Sequence, residues 1–321
     1  MRAYIIRRIL ISIPLLIAMT FVTFIFIQIA PGNFFDTLKL NPQISPETIE
    51  RYEAMYGLDK PVITQYLFWL RNLLKGNLGY SFFYNCPVKK VIISRLLNTL
   101  ILSLSSLLFT WLIAIPLGIF AALRQNRFSD RILSVLSLSF LSTPSFFLAL
   151  IFLYLASLTG FLPLGGMRSA NFESLSGISK ILDILRHLFI PTVVVSLASI
   201  GSLQRIMRAN LLEVLRKQYI LTARAKGIPE DRIIYIHALR NAINPLITIF
   251  GYELSGLLSG MALVEIICNW PGLGQVMLTA VRAQDIFLVM ASAFISGLML
   301  IFGNLAADIL LAVADPRIRY E

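Results

Sequence analysis

The sequence predicts an all-α membrane protein with six transmembrane helices, and three observations carry that prediction. Hydrophobic residues make up 57% of the 321 and charged residues only 14%. Mean hydropathy is +0.77; a soluble domain is nearer half apolar and a quarter charged, so this chain belongs in lipid. The run from Ile9 to Phe35 carries no charge, and about 20 apolar residues suffice to cross a hydrocarbon core of about 30 Å. Runs of this kind place spans at about Ile9–Ala30, Thr99–Leu123, Ile132–Leu158, His187–Leu203, Leu246–Cys268 and Ile286–Val313.

The first span has the basic start of a signal peptide in Arg2, Arg7 and Arg8. Its apolar stretch is too long for one, and it ends in Gln28-Ile29-Ala30 rather than a small-x-small cleavage site. It reads as a retained anchor, residues 1–30. The loop that follows, 31–98, carries two helix signatures. Ser45-Pro46-Glu47 offers an N-cap, a first-turn proline and an acid at the positive helix end, with Gly57 to close. Pro61 starts the second, which Gly76 ends. Tyr66, Phe68, Trp69, Leu70, Leu73 and Leu74 give that helix apolar surface for the outer membrane interface, or equally for packing on top of the bundle.

Net charge is +11, which invites a nucleic-acid reading until the charges are placed. Arg124, Arg127 and Arg131 crowd one short loop, whereas Arg282 is alone between Asn269 and Asp285. The positive-inside rule then sets both termini, the Arg124 loop and the segment after the fourth span in the cytoplasm, and loop 31–98 outside. Cys86 and Cys268 both fall on the outer side, and two free thiols are expected, since one pair is no disulfide framework. His187 and His237 show no metal-ligand spacing.

Within the spans, Pro14, Pro116, Gly118, Pro144, Pro191, Gly201, Gly251, Gly256 and Gly260 serve close packing or kinks by default. Carboxylates there are few. Glu265 and Asp308 lie near the water boundary and read as hydrogen-bonded acids facing protein. Glu253, mid-span, fits either the lining of a translocation path or a packed acid.

The segment LTARAKGIPEDRIIYIHALRNAINP, Leu221–Pro245, is polar between two membrane-length runs. Leu211, Leu215 and Tyr219 before it recur at helical spacing, predicting a short amphipathic helix along the inner surface. Gly227 supplies a left-handed stop and Pro229 a helix start, with Glu230 and Asp231 in the new first turn. His237, Arg240, Asn241 and Asn244 then form one polar stripe, and Ile234, Ala238 and Ala242 a separate small apolar one. The result is a helix–turn–helix elbow with too little apolar surface to be a core. Ala223, Ala225 and Gly227 leave room for a partner's groove to close around the turn; a solvated linker is the other reading.

ARAKGIPEDRIIYIHALRNAINP resembles the cytoplasmic motif of ABC-importer permeases of the dipeptide, oligopeptide and nickel branch. GLDKPVITQYLFWLRNLLKGNLGYS resembles the outer-loop signature, FLSTPSFFLAL the third span, VEIICNWPGLG the turn after the fifth, and DPRIRYE the C-terminal tail. The match runs almost end to end. It departs at Asn33 and Asn77, where the family usually has acids. Leu221, Thr222 and Ala223 replace the Glu-Ala-Ala of the general motif, as is usual in the peptide branch.

The resemblance implies the type I importer permease fold, with the elbow (205–245, inside a five-helix core, 99–313) as the coupling helix seated in a cytoplasmic ATPase, and 314–321 as a cytoplasmic tail. Ala223, Gly227, Pro229, Arg240 and Asn241 would carry the docking. No G-x-x-x-x-G-K-[ST] loop occurs in the sequence, so ATP and Mg are expected on partner chains and no cofactor on this one. The implied partners are a second, similar permease chain forming a heterodimer, two ATP-binding subunits or domains, and an extracytoplasmic solute-binding protein. The last would dock on the outer loops, including Pro271, Gly272 and Gly274, and the implied location is a bacterial or archaeal cytoplasmic membrane. A secondary transporter would need intramembrane charges matched between two halves, and Glu253 has no such counterpart. A membrane scaffold leaves the elbow unexplained. No cluster of His, Cys or carboxylates suggests an enzyme.

Overall fold

A computed structural model describes residues 2–30, 32, 34–39 and 45–314. Its helices are α1 (Arg2–Ile29), α2 (Phe34–Lys39), α3 (Pro46–Tyr56) and α4 (Val62–Leu74), then a two-residue hairpin, β1 (Tyr80–Ser81) and β2 (Cys86–Pro87). There follow α5 (Val88–Leu123), α6 (Phe128–Ser142), α7 (Ser145–Thr159), α8 (Gly177–Leu215) and α9 (Gln218–Ala225). A three-residue α10 (Glu230–Arg232) runs through a π-helical stretch, Ile233–Ala238, into α11 (Leu239–Gly260). The chain ends with α12 (Ala262–Ile267), α13 (Leu273–Arg282) and α14 (Ile286–Ala314). Asn33 and the tail DPRIRYE lie outside the described residues.

Among the described residues four helices are long and apolar enough to cross a bilayer: Ile6–Ile29 of α1, α5, α8 and Ile286–Ile309 of α14. The expected third span is not one rod. α6 and α7 together are apolar enough, but they meet at 106°. Pro144 is the cause: it excludes the helical basin for the residue before it, and Thr143 is extended at φ −98°, ψ 124°. The expected fifth span also divides, at Met261, into α11 and α12. α11 carries Asn244, Pro245 and Glu253.

Two compact units are recognisable, residues 1–99 with 271–301 and residues 100–270 with 302–321. In the first, α4 packs one side of its apolar surface against the rest of the unit. Tyr66 and Trp69 are buried, Tyr66 edge-on to Phe21 at 5.1 Å and hydroxyl-bonded to the Ile17 carbonyl at 3.0 Å. Ile63, Leu67 and Leu74, on the other side, stay exposed. Asp285 caps α14 from a buried position. It accepts the Leu288 N–H at 3.2 Å, while its other oxygen takes the Ser81 hydroxyl at 2.6 Å and the Phe83 N–H at 3.1 Å. One carboxylate therefore ties the hairpin turn to a helix start.

The second unit is built around α8, whose 39 residues make a rod of about 58 Å, far longer than a bilayer core. This corrects the expected short surface helix after the fourth span. Leu211 is fully buried within α8, and the helix simply continues to Leu215. Small residues set its contacts: a Cβ at Gly201 would stand 2.6 Å from the Ser137 carbonyl oxygen, and one at Gly118 2.8 Å from that of Gln204. Hydroxyls bond across the same seams, Ser137 to Gln204 Oε1 at 2.8 Å and Ser196 to the Ser106 carbonyl at 3.0 Å. Both devices suit helices that share an apolar solvent and gain nothing from excluding it.

Candidate functional site: an exposed elbow

The elbow forms where the sequence places it. α9 ends at Lys226, Gly227 turns at φ +74°, and Pro229 stands before α10. A left-handed φ costs an L-residue about 1–2 kcal/mol, which explains glycine here. A Cβ at Gly227 would meet nothing within 4 Å, so the turn projects into open space. Arg224 donates from Nε to Glu230 Oε2 at 3.1 Å and from Nη2 to Oε1 at 2.5 Å, closing the loop from helix to helix. Those hydrogen bonds hold the Glu230 carboxyl below the usual carboxylate range and push Arg224 further up.

The elbow has a buried face, which the sequence reading denied it. Ile220, Ile233, Ala238, Ala242 and Leu246 are buried with Leu203, Met207 and Leu211 of α8, and Ala223 and Ile228 pack against that cluster. Asn210 of α8 donates to the Ala242 carbonyl at 3.3 Å. The apolar stripe of Ile234, Ala238 and Ala242 is thus a packed face, and the elbow is anchored to the longest rod of its unit. The π-helical stretch carries this face; such segments are rare and concentrate at functional sites.

On the opposite side, His237, Arg240, Asn241 and Asn244 are exposed, as the stripe predicts. Their roles divide. Asn241 donates to the Tyr219 hydroxyl at 2.9 Å, bracing α9 against α11. Arg240 has no hydrogen-bond or ion-pair partner among the described residues. Tyr219, Leu221, Tyr235 and Ile236 are each 42–57% exposed beside these charges. Sequence reasoning passed over Tyr235 and Ile236 and assigned Tyr219 to an amphipathic spacing, although bulky apolar residues inside an otherwise polar insert were a readable signal.

The remaining candidates lie elsewhere. Glu253 is half-buried on α11 and accepts the Trp111 indole N–H at 2.9 Å; Trp111 stacks edge-on with Phe250 at 5.1 Å. Thirteen residues of unbroken helix, about 20 Å, separate it from Arg240. In the outer turn, Gly272 is buried before α13, and Pro271 and Gly274 are half-buried. The Pro271 carbonyl accepts from Asn98 at 2.8 Å, and Thr99 caps the Leu273 N–H at 2.8 Å. Glu265 is buried. Cys86 and Cys268 are free thiols, as expected. Among the described residues no group of three or more His, Cys, Asp or Glu could hold a metal ion.

Known proteins resemble this chain along its whole length. It is 40% identical over 322 residues to the oligopeptide transport system permease protein AppB of Bacillus subtilis, covering all of both chains. It is 36% identical over 323 residues to a putative peptide permease protein of Brucella ovis, covering 99% of each. It is 34% identical over 339 residues to the di/tripeptide transport system permease protein DppB of Pseudomonas aeruginosa, again across both full lengths. Family models match at residues 1–104, for the N-terminal part of binding-protein-dependent transport system membrane components, and at 114–320, for their inner-membrane component. A helical bundle with membrane-length apolar helices and an exposed elbow, similar end to end to these permeases, belongs to the family of binding-protein-dependent transport system inner-membrane components.

Proposed function

We propose that this chain is the membrane permease of an ATP-driven importer of peptides, and that its elbow is the helix through which partner ATPases drive it. The observation that carries this reading is the two-sided elbow. One face is packed into α8, so a push on it reaches the membrane segment; the other presents Arg240, Tyr235 and Ile236 to a partner. The names borne by the relatives support peptides as cargo.

In this reading the chain crosses the membrane six times, the bent α6–α7 pair and α11–α12 each counting as one crossing, with both termini in the cytoplasm. It works with a second permease chain, two ATP-binding subunits and an extracytoplasmic binding protein that meets the outer turn near Pro271 and Gly274. Closure of the ATPase pair around ATP moves the elbow. α11 relays that motion over about 20 Å of helix to the level of Glu253, which faces the path held by Trp111. Gly227 and Pro229 shape the turn that enters the ATPase, Ala223 allows close approach, and Asn241 keeps the two arms at a fixed angle.

The test is purification of the tagged chain from its membrane in mild detergent, with identification of what stays bound. A Walker-motif ATPase and a second permease should be retained. Gly227→Arg, whose long side chain has open space in this chain but would collide with a seated partner, should lose the ATPase or uncouple its hydrolysis from uptake, with the chain still in the membrane. Unchanged uptake in that variant removes the elbow from coupling.

A further inference from the structure

Beside the seam between α6 and α8 lies a groove of about 510 Å³. α6 lines it with Ser134, Leu138 and Leu141 at i, i+4 and i+7, and α8 with Ser202, Arg205 and Ile206. The groove follows from the glycine contact: with Gly201 pressed on the Ser137 backbone, the neighbouring side chains diverge on one face. The helices are antiparallel, because Asp130 near the start of α6 meets Arg208 while Ser137 further along meets Gln204. Leu138 and Leu141 therefore lie deeper from the α6 start than the basic end of the groove.

The polar groups of that end are not equivalent. Arg208 also lines the groove, but its Nε and Nη2 are bonded to the buried Asp130 at 2.6 and 2.7 Å. Ser134 donates its proton to the Asp130 carbonyl at 2.8 Å. Arg205 is exposed and has no acidic or hydrogen-bonding partner among the described residues, and neither does the half-buried Ser202, one helical turn away on the same face. A cation and a hydroxyl donor thus stand above Leu138 and Leu141, which are 49% and 41% exposed.

We propose that this groove holds an anionic phospholipid of the cytoplasmic leaflet. Its phosphate meets Arg205 and Ser202, and an acyl chain lies along Leu138, Leu141 and Ile206. Charge complementarity selects an anion, the apolar floor selects one with a tail, and basic pockets between membrane helices on this side take anionic headgroups. The inference rests on the orientation proposed above, which sets the start of α6 at the inner surface.

The test uses the intact complex in mild detergent, offered equal phosphatidylglycerol and phosphatidylethanolamine, with retained lipid counted by mass spectrometry. Wild type should enrich phosphatidylglycerol. Arg205→Gln should lower that retention about fivefold, the effect of one basic side chain at an anionic surface. Arg205→Lys, and Arg216→Gln at the exposed end of α8, should keep it. Equal phosphatidylglycerol retention by Arg205→Gln, or no preference between the lipids in wild type, overturns the proposal. Displacement by excess glycerol phosphate would make this a soluble-phosphate site instead. A photoreactive side chain at Leu138 that joins a protein chain rather than lipid would mean that a protein subunit covers the groove. Orientation is read separately, by impermeant labelling of a Glu213→Cys variant that also carries Cys86→Ser and Cys268→Ser, so that the introduced thiol is the one read, in intact cells and in inverted vesicles; labelling in intact cells would overturn the orientation itself.

Discussion

Glu230 and Arg240 are both exposed charges on the elbow, yet only one is free to act on a partner. Glu230 is held by Arg224, and since its pKa is lowered on folding, that contact is complete above the ordinary carboxylate range and lost only as pH falls well below it. Coupling should therefore be indifferent to Glu230 titration across the neutral range. Arg240 is exposed with no ion-pair partner among the described residues, and the proposed function gives its charge to an interface. Arg240→Glu should weaken ATPase association more at low salt than at high, because exposed charges are screened over about 10 Å at 0.1 M; equal weakening at both would remove Arg240 from the contact. Asp130 is the opposite case, 3% exposed and doubly bonded to Arg208. Asp130→Ala leaves a partly buried guanidinium unpaired, at a cost of about 2–3 kcal/mol, readable as a lower unfolding temperature in detergent.

Glycines at the element scale do two different jobs, and substitution separates them. Gly201 is needed for space: Gly201→Ala drives a Cβ to 2.6 Å from backbone that cannot rotate away, so α6 and α8 must part, at about 1–3 kcal/mol. Thermal unfolding of the purified protein measures this, and a wild-type midpoint would contradict the tight seam. Gly227 is needed for conformation alone. Gly227→Ala should cost about 1 kcal/mol of local strain and leave ATPase binding and coupled uptake nearly intact, whereas Gly227→Arg should weaken the binding or uncouple hydrolysis from uptake. If both variants bind the ATPase and couple uptake equally, the turn is not inside the partner. The bend at Pro144 belongs to this scale too, since one ring constrains Thr143 and divides a span.

At the scale of the whole molecule, the proposed function makes transport depend on force supplied from outside the chain. No phosphate-cradling loop occurs in the sequence, so this permease reconstituted without ATPase subunits should neither hydrolyse ATP nor accumulate peptide; adding the subunits should restore both. ATP-driven uptake by this chain in isolation would overturn the division of labour. The elbow is suited to receive that force because its inner face is part of a packed cluster, and close-packed interiors transmit displacement instead of absorbing it.

Much of this was legible in residues because local chemistry fixes it. Uninterrupted apolar runs mark crossings, glycine marks the left-handed turns at Gly57, Gly76 and Gly227, and Pro46, Pro61 and Pro229 mark helix starts. The elbow and its exposed stripe follow from 3.6-residue spacing, and the two free thiols from composition. Other features depend on partners distant in sequence, which no local pattern encodes. Trp111 reaches Glu253 across 142 positions and Asp285 reaches Ser81 across 204. The buried face of the elbow exists because α8 runs on as far as Leu215 to meet it. The sequence by itself determined that the chain has several helices apolar enough to enter lipid, and where it turns, since solvation and backbone sterics act residue by residue. Only the tertiary structure decided which charges are neutralised, which glycines are contacts, and which face of the elbow stays open, because those depend on what another helix places opposite.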